Sequence, residues 1–198
     1  MIIHQIFLKV SDKNFEDFSC YVESSRKWKS LCDKYGWEYK LHKEVDESIM
    51  TDEEKKIMKL GTERYPFFPV DYYRYIFLCK YGGMYVDLDV IPNDDFEKIK
   101  DDDIIVGRTS TRENIKYENN NNIIKLTPEL NLKLKNFCHQ QFYEKCEIDI
   151  YHTWKKRFFL RTASAQMFSK FCKLNKIKFN DNFDDYFTDV ATGTWSQF

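Results

Sequence analysis

The sequence predicts an α/β protein, and two stretches of it carry that prediction. Residues 2–41 read as strand, helix, strand, and residues 69–92, PVDYYRYIFLCKYGGMYVDLDVIP, as a buried helix turned by two glycines into a short apolar strand. With 198 residues, 17% aromatic and 32% charged, the chain is expected to fold as one domain with a substantial core. The net charge of −1 gives no reason to expect a nucleic-acid partner.

The elements follow in order. Ile2 to Val10 reads as the first strand, with His4 as a buried, hydrogen-bonded histidine. Over residues 14–35, Phe15, Phe18, Val22, Trp28, Leu31, Cys32 and Tyr35 recur at spacings of three, four and seven, which predicts a helix closed by Gly36. Trp37, Tyr39 and Leu41 alternate as a second strand. Strand, helix, strand is how a nucleotide-binding α/β unit opens. No G-x-G-x-x-G occurs, which disfavours a nicotinamide or flavin cofactor. Thr51-x-x-Glu54 is a capping box for a short polar helix to about Leu60, its run Asp52–Lys56 expected on a solvated face.

Pro69 suits the first turn of a helix, and Val70 to Tyr81 is apolar on nearly every face, as a buried helix is. Gly82-Gly83 ends it, and Met84 to Val90 is expected as one strand stopped by Pro92. Alternation along that strand would place Tyr85, Asp87 and Asp89 on one face. Like charges about 6 Å apart repel by roughly 3 kcal/mol at an effective dielectric near 20. Protonation or a bound cation relieves this, and hard oxygen ligands favour Mn²⁺ or Mg²⁺. Asp71 and Arg74, three apart on the preceding helix, are expected to face the same pocket.

Beyond the acidic pair, Asp94 to Lys98 is turn-like and Ile104–Val106 is a further buried strand. Residues 108–122, with Asn119–Asn122, are expected as a surface loop, either near the substrate opening or an inert insertion. Thr127 caps and Pro128 starts a helix through about Cys146, Ala163 to Leu174 forms another, and Ile177–Phe179 reads as a strand. Six cysteines show no C-x-x-C spacing, and Cys32, Cys79 and Cys172 read as core residues. Cys138, His139 and Cys146 lack a fourth partner at zinc-site spacing. No apolar run is long enough to span a bilayer, and MIIHQIFLKV is too short and interrupted for a signal peptide, so a cytoplasmic location is expected.

The stretch 70–89 resembles the DXD-containing glycosyltransferases: the initiating α-1,6-mannosyltransferases, capsular-polysaccharide sugar transferases and, distantly, the large clostridial glucosylating toxins. Their pattern is a helix with Ser-Asp-x-x-Arg-Tyr followed by Tyr-Gly-Gly-x-Tyr-x-Asp-x-Asp. Asp71, Arg74, Tyr75, Tyr81, Gly82, Gly83, Tyr85, Asp87 and Asp89 match, and Val70 departs. Ile2-Ile3-His4-Gln5-Ile6 matches the family's opening, with Phe7 where relatives have a base-stacking tryptophan. Gly193-Thr194-Trp195 is similar to a closing Gly-Ser-Trp, but the histidine that often precedes it is absent and Asp189 is the nearest substitute.

The resemblance implies a GT-A-like single domain with a central mixed sheet flanked by helices. Its Rossmann-like half, about 1–92, would bind the donor nucleotide; about 93–198 would supply the acceptor side and close the site. It also implies metal-dependent, retaining transfer of a hexose from a nucleoside diphosphate sugar (uridine favoured, guanosine the alternative) to a glycan or other hydroxyl acceptor, as in polysaccharide biosynthesis. Asp89, Asp87 and Asp189 would hold Mn²⁺ or Mg²⁺. Phe7, Asp71, Arg74, Asp87 and Trp195 would bind the donor, with Asp71, Arg74 and Asp87 as the catalytic group.

Two alternatives remain at this point. A haloacid-dehalogenase-like phosphatase would use Asp87 as nucleophile and Asp89 as acid/base, with Asp184-Asp185 as its later acidic motif. A non-catalytic sugar-nucleotide-binding module would account for the Phe7 change and the missing histidine.

Overall fold

The computed structural model describes residues 1–9, 12–93, 96, 104–111, 116–148, 162–178 and 186–190. Five strands form one mixed sheet: β1 (Ile2–Ile6), β2 (Glu38–His42), β3 (Met84–Val86), β5 (Ile105–Thr111) and β6 (Lys116–Lys125). Their order is β2-β1-β3-β6-β5, with β1 parallel to both β2 and β3, and β6 antiparallel to β3 and β5. A two-stranded ribbon pairs β4 (Val90–Pro92) with β7 (Phe187–Asp189). Helices α1 (Ser19–Tyr35), α2 (Asp52–Arg64), α3 (Phe68–Tyr81), α4 (Pro128–Ile148) and α5 (Ala165–Leu174) flank the sheet. This is the α/β, GT-A-like arrangement that the motifs imply: a central mixed sheet between helices.

Alternation on the strands separates two cores. Ile3, Met84, Val86, Ile105 and Ile123 pack with Trp28 and Cys32 of α1 and with Val90, Phe96 and Phe187. Ile6, Tyr85, Val106 and Ile124 face the other way, onto α2 to α5, where Tyr72, Tyr73, Tyr75, Phe77, Phe142 and Phe168 fill the space. Helix α3 is buried along most of its length because it lies between the sheet and α2 and α4.

Several expectations change. The first helix is interrupted: Phe15–Asp17 is a 3-10 turn, and α1 begins at Ser19 after the extended Phe18. The capping box at Thr51 and Glu54 is present, but Glu54 is buried rather than solvated, paired with Lys135 of α4 at 2.6 Å. Residues 108–122 are not a loop; β5 and β6 occupy this stretch, apart from 112–115, which lie outside the described residues. Asparagine disfavours strands, but here Asn119 and Asn120 pair with β5 and the Asn122 carbonyl accepts from Asp87 N–H. Ile177 and Lys178 are irregular, because Lys176 adopts φ 56 and Ile177 N–H closes the end of α5 on Cys172 O at 2.9 Å. All six cysteines are free, with Cys32, Cys138 and Cys172 buried.

His4 is satisfied as expected. Its Nδ1 lies 3.0 Å from His42 Nε2, and its Nε2 lies 3.1 Å from Gly82 O. Gly83, at φ +84, lets α3 turn directly into β3, and a Cβ there would strike the Ile2 carbonyl.

Burial, with the neighbouring His42, holds the His4 pKa down to about 3; burial likewise brings His42 to about 4. Both imidazoles are therefore neutral in the folded protein while the unfolded chain takes up protons near 6.5. Stability supplied by the pair is present above pH 6.5 and lost as pH falls toward 4, at about 1.4 kcal/mol per pH unit for each histidine. Chemical denaturation between pH 6.5 and 4.5 should show a slope shallower by about that amount in His42→Phe than in the parent. Equal slopes would mean that His42 is protonated within the fold.

Candidate active site

The acidic pair lies where β3 ends, but not on a strand. The chain turns at Asp87-Leu88-Asp89, with Val90 N–H donating to Asp87 O at 3.1 Å, before β4 begins. The expected single strand Met84–Val90 is thus two short strands joined by a turn. The reason lies in distant pairing: Asp87 N–H bonds to Asn122 O at 2.7 Å, the last rung of the β3–β6 ladder, after which the chain leaves for β7. Tyr85 and Asp87 do share a face, since the Tyr85 hydroxyl donates to the Asp87 carboxylate. Asp89 is set apart from them by the turn, its carbonyl accepting from Val190 N–H at 2.9 Å.

Helix α3 delivers Asp71 and Arg74 beneath this turn. They form a buried ion pair, and Arg74 Nη1 reaches Asp87 Oδ1 at 3.5 Å and donates to Asn121 O at 2.6 Å. The guanidinium lies over the Tyr85 ring, 4.2 Å from its centroid. Side-chain exposure is 1% for Arg74 and 4% for Asp71 but 24% for Asp87, so Asp87 is the member of this trio open to a ligand. Burial works to lower the Arg74 pKa, but the charges around it, Asp71 first, outweigh that and raise it. Burial pushes the Asp87 carboxyl up to about 8; Arg74 works against the rise and the Asp89 charge adds to it.

Two residues that the sequence hid complete the cluster. Between the pairs Val106↔Ile124 and Gly107↔Asn120 the ladder slips, so Asn121, Asn122 and Ile123 of β6 have no opposite number on β5. Such bulges re-aim side chains. Asn121 Nδ2 donates to Asp71 Oδ1 at 3.1 Å, and Asn122 Nδ2 to Asp189 Oδ2 at 3.0 Å. Gly107 makes room, since a Cβ there would overlap the Asn122 amide. The one signal in the sequence is a pair of asparagines directly before the strand-like Ile123-Ile124.

Asp71, Arg74 and Asp87 are therefore brought together, Asp89 is close enough for its charge to act on Asp87, and β7 sets Asp189 opposite Val90 across the β4–β7 ladder, bonded to Asn122. Phe7 sits apart, just past the end of β1, half-buried against Phe15, Phe18 and Tyr21 with ring centroids 5.4 to 6.4 Å away. Trp28, an ordinary core residue on its sequence pattern, also donates from its indole to Val90 O at 2.9 Å. Trp195, Gly193, Thr194 and Asp184-Asp185 lie outside the described residues.

The donor set suits a hard divalent cation. Asp87, Asp89 and Asp189 offer carboxylate oxygens only, and burial keeps Asp87 protonated at neutral pH unless a cation compensates it. Among the described residues, no three histidine, cysteine or acidic side chains are grouped closely enough to hold an ion by themselves. A Mg²⁺-type site needs only one or two protein carboxylates, joined by phosphate oxygens and water.

Residues 12–106, from before α1 into β5, match the family model for the glycosyltransferase sugar-binding region containing the DXD motif. The chain resembles the DXD-motif glycosyltransferases. Among solved structures it is similar to one titled PaToxG Glycosyltransferase, at 13% identity and a TM-score of 0.56, over 99% of this chain and 74% of that one. At this identity the likeness concerns the fold. No curated protein matches the sequence. The phosphatase alternative places its acidic pair at the end of the first strand, whereas here the pair closes β3, the third. No helix among the described residues is long and apolar enough to cross a membrane.

The raised Asp87 carboxyl must lose its proton before it can act as a ligand. Affinity for Mn²⁺ in the presence of uridine diphosphate is expected to rise about tenfold per pH unit between pH 6 and 7 and to level off above 8. Calorimetric titrations at pH 6, 7 and 8 check this. A flat profile would remove Asp87 from the proton-coupled ligands.

Proposed function

We propose that the protein transfers a hexose from a nucleoside diphosphate sugar, uridine favoured over guanosine, to an acceptor hydroxyl on a glycan, with retention at the anomeric carbon. The observation that carries this reading is the Asp71–Arg74–Asp87 cluster opening at a DXD turn within the matched sugar-binding region. Asp89, with Asp87 and Asp189, would hold Mn²⁺ or Mg²⁺, which supplies charge neutralisation for the departing diphosphate. Asp87 presents its exposed edge to the ribose and sugar hydroxyls. Arg74 and Asp71, behind it, fix that carboxylate and offer the guanidinium charge to the donor.

Phe7, at the mouth of the first strand, is assigned to the nucleotide base and Trp195 to the diphosphate. Residues 1–92 then form the donor half and residues 93–198 the acceptor side, with Asn121, Asn122 and Asp189 returning from the second half to the site. Same-face attack by the acceptor needs no nucleophile from the enzyme. Polysaccharide biosynthesis and a cytoplasmic location belong to the same proposal.

A thermal-shift series of nucleotide sugars with and without Mn²⁺ tests it. A productive donor at a hundred times its Kd adds about 2.7 kcal/mol of stability. The gain should require the metal and vanish in Asp89→Ala. Stabilisation of the variant equal to that of the parent would remove Asp89 from the metal site, and no response to any nucleotide sugar would overturn the function.

A further inference from the structure

Gln5 stands at a position where a hydrophobic residue would be cheaper. It is fully buried in the middle strand of the parallel trio β2-β1-β3, and strands of this kind are ordinarily apolar on both faces. Burying a primary amide is favourable only when its hydrogen bonds are met. Each end of the Gln5 amide is met. Nε2 donates to Asp87 O and to Ser24 Oγ, both at 3.2 Å, and Oε1 accepts from the Tyr39 hydroxyl at 2.8 Å.

The contacts continue around the acidic turn. Ser24 Oγ, itself an acceptor from Gln5, donates to Val90 O at 2.8 Å, and Trp28 Nε1 donates to the same carbonyl at 2.9 Å. The carbonyls of Asp87 and Val90, the residues at either end of the turn, are thus held by side chains from β1 and α1. Each of these three side chains donates to a main-chain carbonyl of the turn. Tyr39 of β2 anchors Gln5 from the far side, which fixes the amide orientation.

We propose that Gln5 is a positioning residue for the DXD turn: with Ser24 relaying its contact, it locks the main chain at Asp87 and Val90, so that Asp87 and Asp89 present their carboxylates in one fixed geometry. The consequence for cation and donor binding rests on the function proposed above; the restraint on the turn does not. Gln5→Met keeps the length and removes both donor contacts, and Ser24→Ala removes the relay.

Amide hydrogen exchange of the ligand-free protein reads the restraint directly. Exchange at Val90, whose N–H bonds to Asp87 O, should quicken by about tenfold in Gln5→Met. The amides of α4 should be unchanged. In parallel, Mn²⁺ titrated in the presence of uridine diphosphate should bind about tenfold more weakly to both variants, with uridine diphosphate affinity in the absence of metal unaltered. As a control, Phe171→Leu lowers stability far from the turn and should leave Mn²⁺ affinity as in the parent. Unchanged exchange at Val90 in folded Gln5→Met overturns the positioning role whatever the metal does. Faster exchange with parental Mn²⁺ affinity overturns its consequence for the ligands. If the parent binds no Mn²⁺ with uridine diphosphate, the metal assignment fails, and the exchange result still decides for or against Gln5.

Discussion

The site depends on one buried guanidinium. Arg74 has almost no contact with water, and a charge in that position persists only where opposite charge and hydrogen-bond acceptors surround it. Asp71, Asp87, the Asn121 carbonyl and the Tyr85 ring face supply these. The pairing raises the question of whether Arg74 alone satisfies the acids, leaving nothing for a cation to do. Counting charges answers it. One positive charge serves Asp71 and Asp87, and Asp89 adds a third carboxylate close enough to push the Asp87 proton affinity up. With Asp87 ionised, the cluster keeps a net negative charge that a divalent cation would offset.

The fold brings these groups together through a departure from regular strand geometry. Helix α3 and strand β3 are joined by only Gly82 and Gly83, so the acids of the helix and those of the turn are brought to the same end of the sheet. The slipped ladder of β6 then places two consecutive asparagine amides against different carboxylates, Asn121 on Asp71 and Asn122 on Asp189. In a regular strand the direction of each would be dictated by alternation alone. The irregularity is therefore what connects the helix-borne acid to the acid arriving on β7.

Legibility in the sequence followed the physical origin of each feature. The helix 70–81, its glycine exit and the capping box at Thr51 are set by neighbours in sequence, and each appears where its pattern places it. So does the association of Asp71, Arg74 and Asp87, since a charge on an apolar helix must find a partner. Features set by distant contacts were hidden. Glu54 looks solvated in its charged run, but Lys135 lies 81 positions away. Asn119–Asn122 looks like a loop because asparagine is a poor strand former, and what overrides that preference is distant: Asn119 and Asn120 pair with β5 and the Asn122 carbonyl takes the Asp87 N–H. The break at Asp87–Asp89 was invisible for the same reason: it is imposed by β6 on one side and by β7 on the other.

That break also has a chemical logic. On a continuous strand, Asp87 and Asp89 would stand on one face, both directed at the buried guanidinium, and Arg74 would compete with any cation for the two of them. The turn separates their tasks. Asp87 stays with Tyr85 and Arg74, while the main chain of Asp89 is handed to Val190 at the ribbon that carries Asp189. One acid is thereby tied to the protein's own cation and the other to the strand bearing a further carboxylate. A turn performing this division has to hold its shape. Polar side chains buried behind it, where apolar ones would pack at lower desolvation cost, are consistent with that requirement.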